Sequence, residues 1–227
     1  MVEKILIFDS SSLISLSMAG LFEELKALKK IFKGKFIITK EVKSEVIDKP
    51  LTIKKFELEA LKLQDLLDSK IIEIPSNINI NEDVLSKKTE EVMRIANSTF
   101  NSNQREIKII DSGEASCLAL SMILNEKKIK NVIVIDERTL RMLCEKPEKV
   151  KEIMERKLHT EINYKKENLK FFNGHKCIRS TELIYVAYKK GFVKIKNKAI
   201  LDALLYALKC NGCAISGNEI EEIKRIN

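Results

Sequence analysis

A chain of 227 residues with 44% hydrophobic and 33% charged residues can bury one large core, or a compact domain with an appendage, and lacks the low hydrophobicity of a disordered polymer. Its 41 Lys and Arg against 33 Asp and Glu, a net charge of +8, favour a polyanionic partner, although the same charge also serves solubility. The longest apolar runs, such as Ile5 to Phe8 and Val132 to Ile135, fall far short of the roughly 20 residues of a membrane-spanning helix. Five scattered cysteines do not form the paired framework of a secreted mini-protein. No export signal is recognised, and a soluble cytoplasmic protein with reduced thiols is the expectation.

Val2 to Phe8 is an apolar, β-branched run stopped by Asp9 and three serines, the pattern of a buried central strand entering a loop. Leu13 to Leu28 has helical apolar spacing, and Phe36 to Ile38 predicts a second strand ending at Thr39, a suitable helix N-cap. A short helix over Glu41 to Asp48 closes at Pro50, a longer one runs from about Ile53 to Leu67, and Lys70 to Ile74 predicts a third strand. The polar stretch from Asn77 to Arg105 reads as a surface insertion containing a helix over Val84 to Ala96.

Ser112 to Leu124 predicts a small-residue helix, and Asn131 to Ile135 is the strongest strand signal, ending in Asp136. Helices over Glu137 to Glu145 and Pro147 to Leu158 follow, and Leu169 to Phe172 is expected to be a fifth strand. From Thr181 the pattern is helical with breaks at Gly191, Asn211-Gly212 and Gly217, and Ser216 with Glu219 forms a capping-box start for the last helix. Alternating strands and helices imply a three-layer α/β/α fold around a central five-stranded parallel sheet. Residues 1–158 form the expected catalytic domain, and residues 159–227 supply the last strand and a helical C-terminal extension packing on it.

Ligands of open parallel sheets gather beyond the carboxyl ends of the strands, and that is where the acids fall. Asp9 closes the first strand, Asp136 closes the fourth, Glu45 follows the second, and Asp111 and Glu114 begin the helix before the fourth. Close carboxylates repel unless a cation compensates, and an all-oxygen set favours Mg2+ or Mn2+ over zinc. Such an ion activates water and stabilises charge on a scissile phosphate, so phosphodiester hydrolysis is the expected reaction class, with the surrounding positive charge holding a nucleic-acid backbone.

The motifs Ile7-Phe8-Asp9-Ser10-Ser11, Ile38 to Val46, Ser112-Gly113-Glu114-Ala115 with Ala119-Leu120-Ser121, and Val134-Ile135-Asp136-Glu137-Arg138 resemble, in order, those of the PIN domain family. The likeness covers about Met1 to Leu143, and the run from Ser180 to Gly191 resembles the tail of some archaeal and bacterial members. It implies a five-stranded parallel sheet, a magnesium or manganese site, and endonuclease or ribonuclease action on single-stranded RNA or DNA. Asp9, Glu45, Glu114 and Asp136 are the implied catalytic acids, with Asp111 and Glu137 as further candidate ligands. Two places depart from the family pattern. The third acid is more often Asp, leaving Asp111 beside Glu114, and the fourth motif often holds two acids, of which Asp136 is preferred to Glu137.

Each residue also has a plainer reading. Asp111 with Glu114 satisfies capping-box logic, Asp136 suits a helix cap, and Glu45 suits an exposed helix face. Asp9 resists this reading, because an unpaired charge at the edge of a buried strand is costly. Ser11, with Ser10 and Ser12, either caps the next helix or orients water or phosphate. Arg138 and Arg141 are candidate substrate-phosphate contacts or solvated charge, and of the lysine clusters at 127, 128 and 130 and at Lys189, Lys190, 194, 196 and 198, both of which suit solubilising faces, the second is the better nucleic-acid candidate. His175, Cys177, Cys210 and Cys213 have donor types that suit zinc, but their loose spacing favours isolated reduced thiols.

An aspartyl-phosphate phosphatase would carry a second Asp where Ser11 stands, and no glycine fingerprint marks a nucleotide site among seven glycines. The alternative to a nuclease is a catalytically inactive PIN-like module that binds RNA or a protein partner. Expected partners are RNA or single-stranded nucleic acid, with a homodimer and an antitoxin-like or RNA-processing partner suggested by the family resemblance, and no membrane.

Overall fold

The computed structural model describes residues 4–103 and 105–226; Val2 and Glu3 of the expected first strand, and Gln104 of the expected insertion, lie outside the described residues. The chain opens with β1 (Lys4–Phe8), whose last four side chains are all buried although they alternate between the two faces. Both faces of the sheet are therefore covered at β1. The expected Leu13 to Leu28 helix divides into α1 (Ser10–Met18) and α2 (Phe22–Ile31), because Gly20 turns the chain with φ of 70°.

Strand β2 (Gly34–Ile37) leads into α3 (Lys40–Lys43), which continues as a π-helical turn over Ser44–Asp48 before Pro50. Thr39 caps α3, as its sequence position predicts, its Oγ1 accepting from Val42 N at 3.3 Å. Helix α4 (Glu57–Asp68) follows. The expected strand over Lys70 to Ile74 is reduced to one parallel bridge between Ile37 and Glu73, because Lys70 adopts a left-handed turn (φ 56°) that leaves little extended chain.

Helix α5 (Glu82–Thr99) is longer than predicted and is anchored to the rest of the fold along one face. Leu85, Thr89, Val92, Ala96 and Thr99 form a buried stripe that lies along α6 (Ser112–Glu126). The polar residues that dominate the sequence occupy the opposite face. Between these helices β3 (Phe100–Ser102) pairs on one side with β4 (Arg105–Glu106) and on the other with a later β6 (Asn163–Tyr164), a small antiparallel sheet that was not predicted.

Strand β5 (Asn131–Val134) precedes α7 (Arg138–Glu145) and α8 (Glu148–Leu158). The expected strand over Leu169 to Phe172 is instead the end of α9 (Lys166–Leu169) and a 3-10 turn (Lys170–Phe172). Three apolar residues within four positions fit one buried helical face as well as a strand. The last parallel strand is the two-residue β7 (Cys177–Ile178), too short to show a period, and α10 (Ser180–Lys189), α11 (Ile200–Cys210) and α12 (Gly217–Arg225) complete the chain. The Ser216 and Glu219 capping box at α12 is formed.

The parallel sheet has the order β2-β1-β5-β7, with Phe8 opposite Val134 and Ile7 opposite Ile37. Order reverses between β1 and β5, so the crevice expected of an open α/β sheet lies where Asp9 leaves β1. One continuous apolar core joins the sheet to the tail, including Leu183, Leu205 and Ile223. No helix among the described residues is long and apolar enough to cross a membrane.

The burial of α5 has a direct test. Leu85, only 4% exposed, replaced by Ala is expected to cost about 2–5 kcal/mol in urea unfolding. A detachable surface helix would keep the change within about 0.5 kcal/mol.

Candidate functional site

Asp9 follows β1 directly and is 1% exposed. Its Oδ2 accepts from Ser11 N at 3.0 Å and from Ser11 Oγ at 2.6 Å, so Asp9, rather than a serine, caps α1. The Ser11 hydroxyl also accepts from the backbone N–H groups of Asp136 (3.0 Å) and Glu137 (3.3 Å). One donor and two acceptor places are thereby used, which makes Ser11 a link between the ends of β1 and β5 and leaves it no capacity for substrate phosphate. Ser12 Oγ strengthens the link by bonding Val134 O at 2.9 Å.

The other oxygen of Asp9, Oδ1, is buried without a hydrogen-bond partner, as are Glu41 Oε2 and Glu114 Oε1. The remaining oxygen of Glu114 accepts from Asp111 N at 2.9 Å. Asp111 itself turns outward, exposed and ion-paired with Lys108. The two candidates for the third acid thus separate, Glu114 facing inward and Asp111 facing solvent.

Glu45 belongs to the same cluster. A side chain at position 113 would place its Cβ 2.7 Å from Glu45 Oε2 and 2.9 Å from Oε1, so the glycine leaves the space that the carboxylate fills. The π-helical turn at Ser44–Asp48 sets the direction of Glu45, and such turns concentrate at functional sites. Thr39 Oγ1 meets Ser116 Oγ at 2.6 Å and holds the start of α3 against α6.

Glu41 was not among the predicted site residues. Its signal was present, since Glu41 and Glu45 are four apart at the start of one helix, a spacing that places like charges together at a cost. Cys117 locates the group. Its thiol is pushed well up by burial, and then by the charges of Asp9, Glu114, Glu45 and Glu41, so it stays protonated and is no nucleophile.

Asp136 and Glu137 part company. Asp136 is fully buried, and both of its carboxylate oxygens accept from Ser180, Oδ1 from the backbone N at 2.8 Å and Oδ2 from Oγ at 2.6 Å. It ties β5 to the start of α10, and its carboxylate is not brought to the cluster by these bonds. Glu137 caps α7, accepting from Leu140 N at 3.1 Å and Thr139 Oγ1 at 2.9 Å, while its charge acts on Glu114. Of the two, Asp136 was the expected site acid; it is bonded to Ser180, and Glu137 is the one whose charge acts on Glu114.

Burial is the chief reason that Asp9 is raised from 3.8 to about 6; the Ser11 bonds oppose the shift and Glu45 adds to it. Burial likewise holds Glu114 well above the ordinary carboxylate range, with Glu137 and Asp9 adding repulsion. All-oxygen donors with unsatisfied lone pairs fit a hard divalent cation. No three His, Cys, Asp or Glu side chains among the described residues are already drawn into a metal-binding group. Mutual repulsion of bare carboxylates opposes such closure.

The remaining candidates lie elsewhere. Lys189 and Lys190 are exposed at the far end of α10, about 14 Å along its axis from Ser180 at 1.5 Å per residue. His175 is buried, its Nδ1 2.8 Å from Ser121 Oγ, and burial lowers its pKa to about 4. Cys177 lies by Cys144, Cys213 by Thr181, and Cys210 is exposed, so no zinc set is assembled from them.

The raised carboxylates fix the sign of a pH effect. Native Asp9 and Glu114 bind protons more tightly than in the unfolded chain, so this stabilisation is complete below about pH 3.8 and is lost as pH rises through about 6, with Glu114 continuing the loss above that. In chelator the contribution of these two groups should therefore lower the melting temperature across that window. Millimolar Mn2+ should raise it increasingly with pH, and Asp9→Asn should flatten both responses. Asp136→Ala leaves the buried Ser180 N–H without its acceptor and is expected to cost about 1–3 kcal/mol in denaturant unfolding, while leaving the Mn2+ response in place.

No protein-family model matches this chain, and neither a curated protein nor a solved structure matches it.

Proposed function

We propose that this protein is a PIN-type nuclease, an Mg2+- or Mn2+-dependent endoribonuclease that hydrolyses phosphodiester bonds of single-stranded RNA or DNA. One observation carries the reading. Two carboxylate oxygens from separate segments, Asp9 Oδ1 and Glu114 Oε1, are buried without a hydrogen-bond partner near the crevice where strand order reverses, and the charge of Asp9 acts on Glu114. Unpartnered buried acceptors are costly, and a divalent cation is the partner that would satisfy several at once.

Asp9 and Glu114 would hold the ion, with Glu45 beside them and Glu137 at the rim. When bound, the ion lowers the pKa of water and stabilises charge developing on the phosphate. Ser11 holds Asp9 Oδ2, which directs Oδ1 into the crevice. Gly113 gives Glu45 its room, and Cys117 forms an uncharged floor. Asp136 acts as a positioning residue through Ser180.

In this reading the bridge between Ile37 and Glu73 stands for the outermost strand of a five-stranded sheet within an α/β/α sandwich. The long α5 and the three-helix tail exceed what a small toxin nuclease needs, which favours an RNA-processing role.

Purified protein with Mn2+ is expected to cleave single-stranded RNA at internal positions. Asp9→Asn and Glu114→Gln should each lower the rate by about a hundredfold or more, because a lost ligand forfeits several kcal/mol of charge stabilisation. Both variants should melt no lower than the parent in chelator, since each removes a buried charge. Activity that persists in chelator, or is equal in Asp9→Asn, would refute the nuclease reading. RNA binding without cleavage would leave the non-cleaving module in its place.

A further inference from the structure

A cleft of about 670 Å³ opens between α7, the end of β7 and the turn before α12, and its lining begins at Arg138, the residue after Glu137. Arg138, Arg141, Lys146 and Arg179 line it, and Glu145, Glu182 and Glu219 are its acids. Two of those acids are spent on one cation. Arg179 bonds Glu182 and, at 2.6 Å, Glu219. Glu145 then faces three cations.

Those three are poorly satisfied. Arg141 donates one long bond, 3.3 Å from Nη2 to Ala214 O, and its Nε is buried with no partner. A guanidinium carries five N–H donors in a planar fork matched to phosphate oxygens. Arg138 and Lys146 are exposed and make no ion pair among the described residues. Arg138 and Arg141 are three apart on α7 and project from one helix face. The cleft floor is fixed by the chain tail, since Ala214 N bonds Asp136 O at 2.9 Å.

We propose that this cleft is a phosphate-binding groove that holds the backbone of a single-stranded nucleic acid beside the carboxylate cluster, through Arg138, Arg141 and Lys146. The phosphate chemistry rests on the cleft itself, and the choice of a nucleic acid rests on the nuclease reading. Acids that gather cations repel a polyanion, so a strand placed at the cluster needs cations close by to hold it. Glu137 in the cluster and Arg138 in the cleft are consecutive, which puts the two fields within one residue. The contact is to backbone and is therefore insensitive to base sequence.

The test is binding of a fluorescent single-stranded RNA dodecamer in chelator, where cleavage is off, across a series of salt concentrations. The Arg138→Ala, Lys146→Ala double variant changes two exposed side chains and should melt as the parent does. It should bind about tenfold more weakly, with the slope of log affinity against log salt reduced by about 1.4, at roughly 0.7 per phosphate contact on a single strand. Unchanged affinity and slope would overturn the groove. Displacement of the RNA by inorganic pyrophosphate at concentrations near those of unlabelled dodecamer would overturn it too, marking a site for a small phosphorylated molecule. Loss of binding in the double variant supports the groove even where Mn2+ produces no cleavage, so the two proposals fail separately.

Discussion

A carboxylate placed at the end of the central buried strand is the constraint around which this structure is arranged. Asp9 is almost wholly removed from water, and burial is the chief cause that pushes its pKa up to about 6. The fold answers for one oxygen only. Ser11 returns its N–H and hydroxyl to Oδ2 and uses its remaining capacity to hold the backbone at Asp136 and Glu137. One hydroxyl thus closes the ends of β1 and β5 together, and Oδ1 is left facing the crevice.

From that point the neighbouring acids are sorted by where their elements aim them. Successive residues at a strand end point in different directions, and Asp136 and Glu137 take opposite duties, one locked to Ser180 beneath α10 and the other capping α7 beside Glu114. Asp111 and Glu114 are similarly divided, the first turned out to Lys108 and the second turned in. The capping logic at α6 and the inward acid coexist because a carboxylate has two oxygens, and Glu114 spends only one on Asp111 N. A stabilising role and an unsatisfied, function-ready atom reside in the same side chain.

The cations are sorted in the same way. Arg179, shielded among Glu182 and Glu219, braces the tail, whereas Arg138, Arg141 and Lys146 are left with donors to spare around one cleft. Net charge recorded only an excess of lysine and arginine. The cations with donors to spare gather on and beside α7, and the more conspicuous lysines at 189 and 190 stand at the far end of α10.

The strand-ending acids, the caps at Thr39 and Ser216, the helical tail and the parallel α/β class were legible in the sequence, because each depends on neighbours within about one turn or on a period of two or 3.6. Position at a strand end also singled out Asp9. What those local signals could not carry was decided by tertiary structure: that α5 buries a stripe against α6, that the last parallel strand is Cys177–Ile178 and not Leu169 to Phe172, and that the charge of Glu137 acts on Glu114 while Asp136 bonds Ser180 and Asp111 pairs with Lys108. The physical reason is common to all of these. Sequence spacing fixes which residues share an element's face, but the partner that claims a carboxylate's oxygens, such as Ser180 for Asp136 across 44 positions, is set by packing between elements that local spacing does not encode.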